Sequence, residues 1–160
     1  EDVSFENFKF ISEEKNQKYN YKIIITQYTN GVKKGENVLF ETNYESNIGH
    51  FENNELDFSI IGKAINDKEY KIIFNINKNL YLKHTFELDD SKKFSIKHFF
   101  NQNMSFNKSK KALLFALVKP IKIDKNTYRD CDFALGKDKP EEWYKTFGIN
   151  DYVTIEIVFE

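Results

Sequence analysis

Histidine is the residue type whose chemistry stands out in this sequence, because the chain of 160 residues contains only three. His84 and His98 both fall on the apolar side of segments in which apolar and polar residues alternate, a pattern typical of half-buried strands. If the loop of residues 89–93 joins these strands in simple register, His84 faces His98 with Cβ atoms about 5 Å apart. The same count across the preceding loop places Ile72 beside His84. The spacing therefore predicts a histidine pair inside the fold.

Such a pair has two chemical uses and one structural alternative. Neutral imidazoles bind zinc and other transition ions, although His50 or Cys131 would have to arrive from elsewhere to complete a zinc site. Protonation of two close histidines would also make the core sensitive to pH. The structural alternative is a pair of core histidines hydrogen-bonded to backbone, tyrosine or water. A one-residue bulge would instead turn one of them to solvent.

Carboxylates and the single cysteine offer weaker signals. Asp130 and Asp132 alternate along one predicted strand, where they could bind calcium, act as an acid–base pair, or line a solvated outer face. Cys131 lies between them on an apolar face, and as the only cysteine it cannot form an internal disulfide. The sequence has neither a Gly-x-Ser-x-Gly motif nor a phosphate-binding glycine loop. We therefore predict no catalytic residue and no cofactor.

A group of aromatic side chains falls on the outer side of the predicted strands by the same alternation. They could be covered by a second layer, such as a helix around Trp143 packed over part of a sheet. They could instead form a partner-binding surface, because tyrosine is enriched at the energetic centres of interfaces. The group comprises Tyr28, Tyr81, Phe99, Tyr128 and Tyr152.

The elements that must position these residues are mainly strands joined by short loops. A meander of four strands is predicted from Leu56 to Phe100, and the Asn30-Gly31 pair predicts a hairpin turn before it. The continuous apolar run Ala112–Val118 indicates a strand covered on both faces. One short helix is predicted near residues 140–147, with Pro140 in its first turn. We expect a single domain over residues 1–160, with about 8–10 strands in an antiparallel β-sandwich or up-and-down barrel.

Composition narrows the possible partners. The 24 basic and 25 acidic residues balance to a net charge of −1, and Arg129 is the only arginine, so direct nucleic-acid binding is not predicted. No apolar run approaches the ~20 residues that a membrane-spanning helix needs. A single cysteine suits a reducing compartment and predicts a cytoplasmic location, although a secreted or processed form is also compatible with this sequence.

These observations lead to two expectations about function. The first is a non-enzymatic module that binds another protein, in its narrowest form a bacterial immunity or inhibitor-type protein that blocks a partner by covering its active surface. The second is a small-ligand or metal-binding carrier or sensor, in which the pair His84 and His98 would line an internal cavity.

Overall fold

The computed structural model describes residues 3–15, 19–99, 105–122, 128–129 and 138–160. Within these ranges the chain forms eleven strands, one α-helix that continues a short 3₁₀ segment at Pro140–Glu142, and a 3₁₀ turn at Ser91–Lys93. The elements in order are β1 (Ser4–Ile11), β2 (Tyr21–Thr29), β3 (Val32–Glu41), β4 (Glu55–Ala64), β5 (Glu69–Ile76), β6 (Leu80–Glu87), β7 (Ser95–His98), β8 (Ala112–Val118), β9 (Ile121–Lys122), β10 (Tyr128–Arg129), α1 (Trp143–Phe147) and β11 (Asp151–Phe159).

Two antiparallel sheets pack face to face as a sandwich. The four-stranded sheet has the order β1-β4-β5-β6, the five-stranded sheet has the order β3-β2-β11-β8-β7, and β9 and β10 form a separate ribbon. Contacts between β1 and β7 and between β3 and β6 bring matching edges of the two sheets together. The predicted mainly β fold is therefore confirmed, with the sandwich as the architecture adopted.

Alternation of side chains explains why these segments form strands. Along β5, Tyr70, Ile72, Phe74 and Ile76 are buried while the intervening residues are half-buried on the outer side. Burying a side chain such as Ile72 stabilises the fold by about 1.5–3 kcal/mol relative to leaving it in water. Both sheets contribute to the same core, which includes Ile23, Ile25, Leu56, Phe58, Ile60, Phe115, Leu117, Ile155 and Ile157.

The predicted hairpins are confirmed through β6. Asn30 and Gly31 adopt φ values of 51° and 77°, the left-handed conformation that the β2–β3 turn needs. In the four-stranded sheet β4, β5 and β6 are successive antiparallel neighbours, and Ile72 pairs with His84 as predicted.

The fourth strand of the predicted meander is placed wrongly, because β7 pairs with β8 in the five-stranded sheet. The segment before it does not form a simple hairpin loop. Asp90 adopts a left-handed conformation with φ 57°, and a 3₁₀ turn follows. The buried Ser91 anchors this turn, since its backbone N–H donates to Asp67 O at 3.1 Å and its hydroxyl donates to Asn66 O. The chain is thereby directed across the end of the four-stranded sheet into the other layer.

The predicted helix and the doubly covered strand are also confirmed. Gly148 ends α1 in a left-handed conformation with φ 70°, and its N–H donates to Tyr144 O. The helix packs on the outer side of the five-stranded sheet, so β8 has the main core on one side and a second apolar cluster on the other. Within the described ranges, no helix combines the length and apolar character that crossing a bilayer requires.

Candidate functional site

The two histidines predicted to pair lie in different sheets. His84 is half-buried on β6 with its ring centroid 4.6 Å from that of Phe86, and burial lowers its pKa. His98 lies on β7 opposite Phe115, and its side chain is 52% exposed. The prediction that His84 faces His98 is wrong, because the turn at Ser91–Lys93 moves β7 to the other sheet and to the opposite edge of the sandwich.

The predicted metal site depended on His84 and His98 lying side by side, and the structure does not bring them together. His98 Nδ1 lies 3.3 Å from Glu6 Oε1, an ion pair when the imidazole is protonated. His50 is buried in a third location, with Nε2 at 2.8 Å from Asn43 O. No group of three histidine, cysteine, aspartate or glutamate side chains converges anywhere in the part of the chain that the structure describes. Asp130, Cys131 and Asp132 lie outside the described residues, and so does the side chain of Tyr128.

Three of the predicted partner-binding aromatics are covered by the helix layer. Tyr28 and Tyr152 are buried and stacked with ring centroids 4.8 Å apart, and Phe99 stacks on Trp143 at 5.5 Å. The Tyr152 hydroxyl donates to Pro140 O at 2.6 Å, and burial raises the pKa of Tyr152 to about 12. Of the two interpretations of these aromatics, the covering layer around Trp143 is the one that the structure adopts for these three residues, so they do not form an exposed binding surface. Tyr81, by contrast, is 59% exposed.

Tyr81 belongs to the outer side of the four-stranded sheet, which we call the open face. It consists of the outward side chains of β1, β4, β5 and β6. Register places Phe5 beside Ile61 and Ile61 beside Ile73, so an apolar row crosses three strands. Phe5 is 59% exposed and Ile61 is 40% exposed. No element in the described ranges packs against this row.

Lys83 lies at one end of the apolar row, two further lysines lie in the row beside it, and the next row holds the acidic cross-strand pair Glu69 and Glu87. Lys63 and Lys71 are direct cross-strand partners, and Lys83 is paired with Ile73 one step away. Like charges placed directly opposite one another destabilise a sheet, so this arrangement is unfavourable in the isolated protein. None of the three lysines makes an ion pair with an acidic residue in the described part of the chain.

A polar row and a shallow depression run beside the apolar row. Ser59 pairs with Asn7 on one side and with Asn75 on the other, and Asn75 pairs with Tyr81. The depression has a volume of about 480 Å³ and is lined on this face by Phe5, Asn7, Ser59 and Asn75. Asn75 Oδ1 is buried there without a hydrogen-bond partner, which is unfavourable unless a bound molecule supplies a donor.

A larger cleft of about 1090 Å³ runs along the outer edge of β1. Its floor is aromatic, with Phe8, Phe10 and Phe106, and Phe10 and Phe106 meet edge to face at 4.8 Å. His98 and Lys108 lie on its far side. His84 does not line it, so the two predicted ligand-binding histidines do not share a cavity.

The open face was missed in the sequence except for Tyr81. The signal was present in the alternation, because Phe5, Ile61 and Ile73 are apolar residues at outward positions. The apolar row can be recognised only when the register of β1 against β4 is known. The sequence did not reveal this register, because the spacing of apolar residues in the β1 segment fits a helix as well as a strand.

The fold and surface define a two-layer antiparallel β-sandwich in which a helix covers part of the outer side of one sheet, and no element of the described ranges covers the outer side of the other. Comparison with protein-family models, with curated proteins and with solved structures found no significant match to this chain.

Proposed function

We propose that this chain is a non-enzymatic protein-binding module and that the open face is its binding surface. The observation that carries the proposal is the exposed apolar row Phe5–Ile61–Ile73 beside lysines that lack acidic partners in the described chain. Apolar centres with aromatic anchors are typical of protein interfaces, and Tyr81 adds a second aromatic anchor to this one.

The expected partner carries an acidic patch beside an apolar one. Lys63, Lys71 and Lys83 would each gain an opposite charge on binding, and the repulsion between Lys63 and Lys71 would be relieved. Covering the apolar row contributes about 25 cal/mol for each Å² of apolar surface removed from water. A donor from the partner would satisfy Asn75 Oδ1 in the depression.

In its narrower form the proposal is a bacterial immunity or inhibitor-type protein. The partner would then be an enzyme whose active surface is covered by the flat sheet face. Support for this form comes from the shape of the open face, on which the described residues form only a shallow depression, and from its three lysines.

Charge reversal tests the proposal. In the triple variant Lys63→Glu, Lys71→Glu, Lys83→Glu, capture of an acidic protein from an extract of the source organism should be lost. The matched control reverses three exposed lysines elsewhere, Lys34, Lys110 and Lys145, and changes the net charge equally. Binding by the wild-type chain and by the control should persist and should weaken with rising salt, because exposed charges are screened.

The affinity of the captured protein for the wild-type chain, the triple variant and the control variant is then measured by titration. Equal affinity of the triple variant and the control variant would contradict the assignment of the open face, and failure of the wild-type chain to retain any protein would contradict the function. If the captured protein is an enzyme, loss of its activity at equimolar ratio supports the inhibitor form, and full activity in the complex overturns that form.

A further inference from the structure

The four sheet edges of the sandwich are protected to very different degrees. An exposed edge strand offers unpaired backbone groups to other chains, and proteins usually block it with bulges, charges or short length. Edge strand β3 has two register shifts against β2 and carries Lys33, Lys34, Glu36 and Glu41. Edge strand β7 has only four residues. At edge strand β6, the Gln27 side chain donates to Glu87 O at 3.0 Å.

Edge strand β1 has few of these protections. It runs for eight residues in unbroken register with β4. The bond from Ser12 N–H to Asn54 O continues that register and shows that even-numbered residues point their backbone groups towards β4. The backbone groups of Phe5, Asn7, Lys9 and Ile11 therefore point away from the sheet, and none of them bonds to another described residue.

The outward side chains of β1 are also unusual for a free edge. Phe5 and Ile11 are 59% and 72% exposed, at opposite ends of the strand. Lys9 is the one charged residue among the outward side chains between them. Its ammonium forms ion pairs with Glu55 and Asp57 of β4, so its charge is neutralised and does little to repel another strand. Glu6 points inward, a known protective device, but it lies against His98 at the rim of the cleft.

The sequence of β1 is complementary to itself in one antiparallel register. When Asn7 is placed opposite Lys9 of a second copy, Phe5 lies opposite Ile11 of that copy. The two-fold axis then passes through the register position of Phe8, which lies opposite Phe8 of the second copy. Each outward pair then exchanges two backbone hydrogen bonds. The outward backbone groups of Phe5, Asn7, Lys9 and Ile11 then all gain partners, and the two most exposed apolar side chains of the strand cover one another.

We propose that two copies of this chain associate by antiparallel pairing of their β1 strands, which joins the four-stranded sheets into one continuous sheet. A cleft runs along β1 between its outer edge and the residues His98 and 105–108, and the aromatic floor of this cleft would be covered by the partner copy. A closed two-fold pair leaves no further β1 edge, so association stops at the dimer.

Proline substitution on two edges tests the proposal. The N–H of Asn7 points away from β4 and donates to no other described residue, so Asn7→Pro breaks no hydrogen bond in the described part of the monomer but removes a donor from the dimer. Thr85→Pro is the matched control, since Thr85 occupies the equivalent free-edge position on β6. Light scattering should give the mass of two chains for the wild type and for Thr85→Pro, with dimerisation of Asn7→Pro weakened by more than about tenfold.

Two results would overturn the proposal: a monomeric wild type at the highest soluble concentration, or a dimeric Asn7→Pro variant. Circular dichroism and thermal unfolding establish that each variant is folded. Register is tested separately with Asn7→Cys and Lys9→Cys chains, both carrying Cys131→Ser. Oxidation of a mixture of the two chains should mainly give the disulfide that links one Asn7→Cys chain to one Lys9→Cys chain. If either chain oxidised alone gave as much disulfide-linked dimer as the mixture, the proposed register would be contradicted.

Neither test depends on the partner of the open face. Charge reversal at Lys63, Lys71 and Lys83 leaves the backbone of β1 untouched, so that variant should remain dimeric. Failure of dimerisation and failure of partner binding can therefore be told apart.

Discussion

Gly62 on β4 packs closely against Ile96 of the opposite sheet and against Tyr70 of the neighbouring strand β5. A Cβ atom at this position would lie 2.5 Å from Ile96 Cδ1 and 2.8 Å from the ring of Tyr70. Both neighbours are buried, so neither can move into free space. The need for glycine here comes from packing and not from backbone conformation.

Gly62→Ala is therefore expected to destabilise the protein by about 1–3 kcal/mol, the usual effect of overpacking a core. Thermal or urea unfolding of the purified variant measures this loss. Gly35→Ala on β3 is the control, because a Cβ atom there meets nothing within 4 Å. The hypothesis of close packing would be wrong if both variants unfolded like the wild type.

Glu156 is a half-buried carboxylate on the outer side of the five-stranded sheet, opposite Leu113 and Ile24. Burial raises its pKa above the ordinary value of 4.5, and Glu141 and Glu36 add to the rise while Lys111 opposes it. A raised folded-state pKa means that the stabilising form is the protonated one. That contribution is complete below pH 4.5 and is lost as the pH rises through the folded-state pKa.

Glu156→Gln should consequently be more stable than the wild type at neutral pH, since glutamine is neutral at every pH. The advantage should shrink as the pH falls towards 4.5 and disappear below it. Comparing urea midpoints of the two proteins from pH 4 to pH 8 measures the difference and cancels the titration of all other groups. A difference that stays constant with pH would contradict burial of the charge as its cause.

At the scale of elements, α1 acts as a cover for the outer side of the five-stranded sheet. Trp143 is fully buried, its ring centroid lies 5.2 Å from that of Tyr152, and its indole N–H donates to Asp138 O at 3.1 Å. Five helical residues are too few for a stable isolated helix, so α1 depends on this docking.

Trp143→Ala should lower the free energy of unfolding by about 3–5 kcal/mol, the usual loss for a buried tryptophan. Tyr144→Ala is the control on the same helix, since the Tyr144 side chain is 42% exposed. Denaturant unfolding followed by circular dichroism compares the two. Equal stabilities would show that the helix contributes little as a cover.

The elements could be predicted wherever the signal was local. Alternation within β5 and β6 and the Asn30-Gly31 turn are properties of short segments, and each was predicted correctly. The move of β7 to the other sheet was not predictable from alternation. It depends on the N–H and hydroxyl of Ser91 donating to two carbonyl oxygens in the β4–β5 loop, which is distant in sequence. The error in the histidine pair follows directly from this one turn.

At the scale of the whole molecule, the two outer faces of the sandwich differ. Helix α1 covers part of one, and the four-stranded sheet leaves the other open with apolar and positively charged residues. Sequence patterns indicated that aromatic residues lie outside the core, but they could not tell which would be covered. Tyr28 and Tyr81 look alike in sequence, and only the layer above each residue separates them.

The position of β11 has a consequence for how the chain is assembled during synthesis. The last strand along the described chain lies between β2 and β8, in the middle of the five-stranded sheet. On the ribosome, β4, β5 and β6 can pair with their sequence neighbours as they emerge, because hairpin contacts are local. The strands β2 and β8 must wait for residues 151–159 to leave the exit tunnel, with Ile23, Ile25 and Phe115 uncovered until then. The five-stranded sheet is thus completed after the four-stranded sheet during synthesis of the described chain.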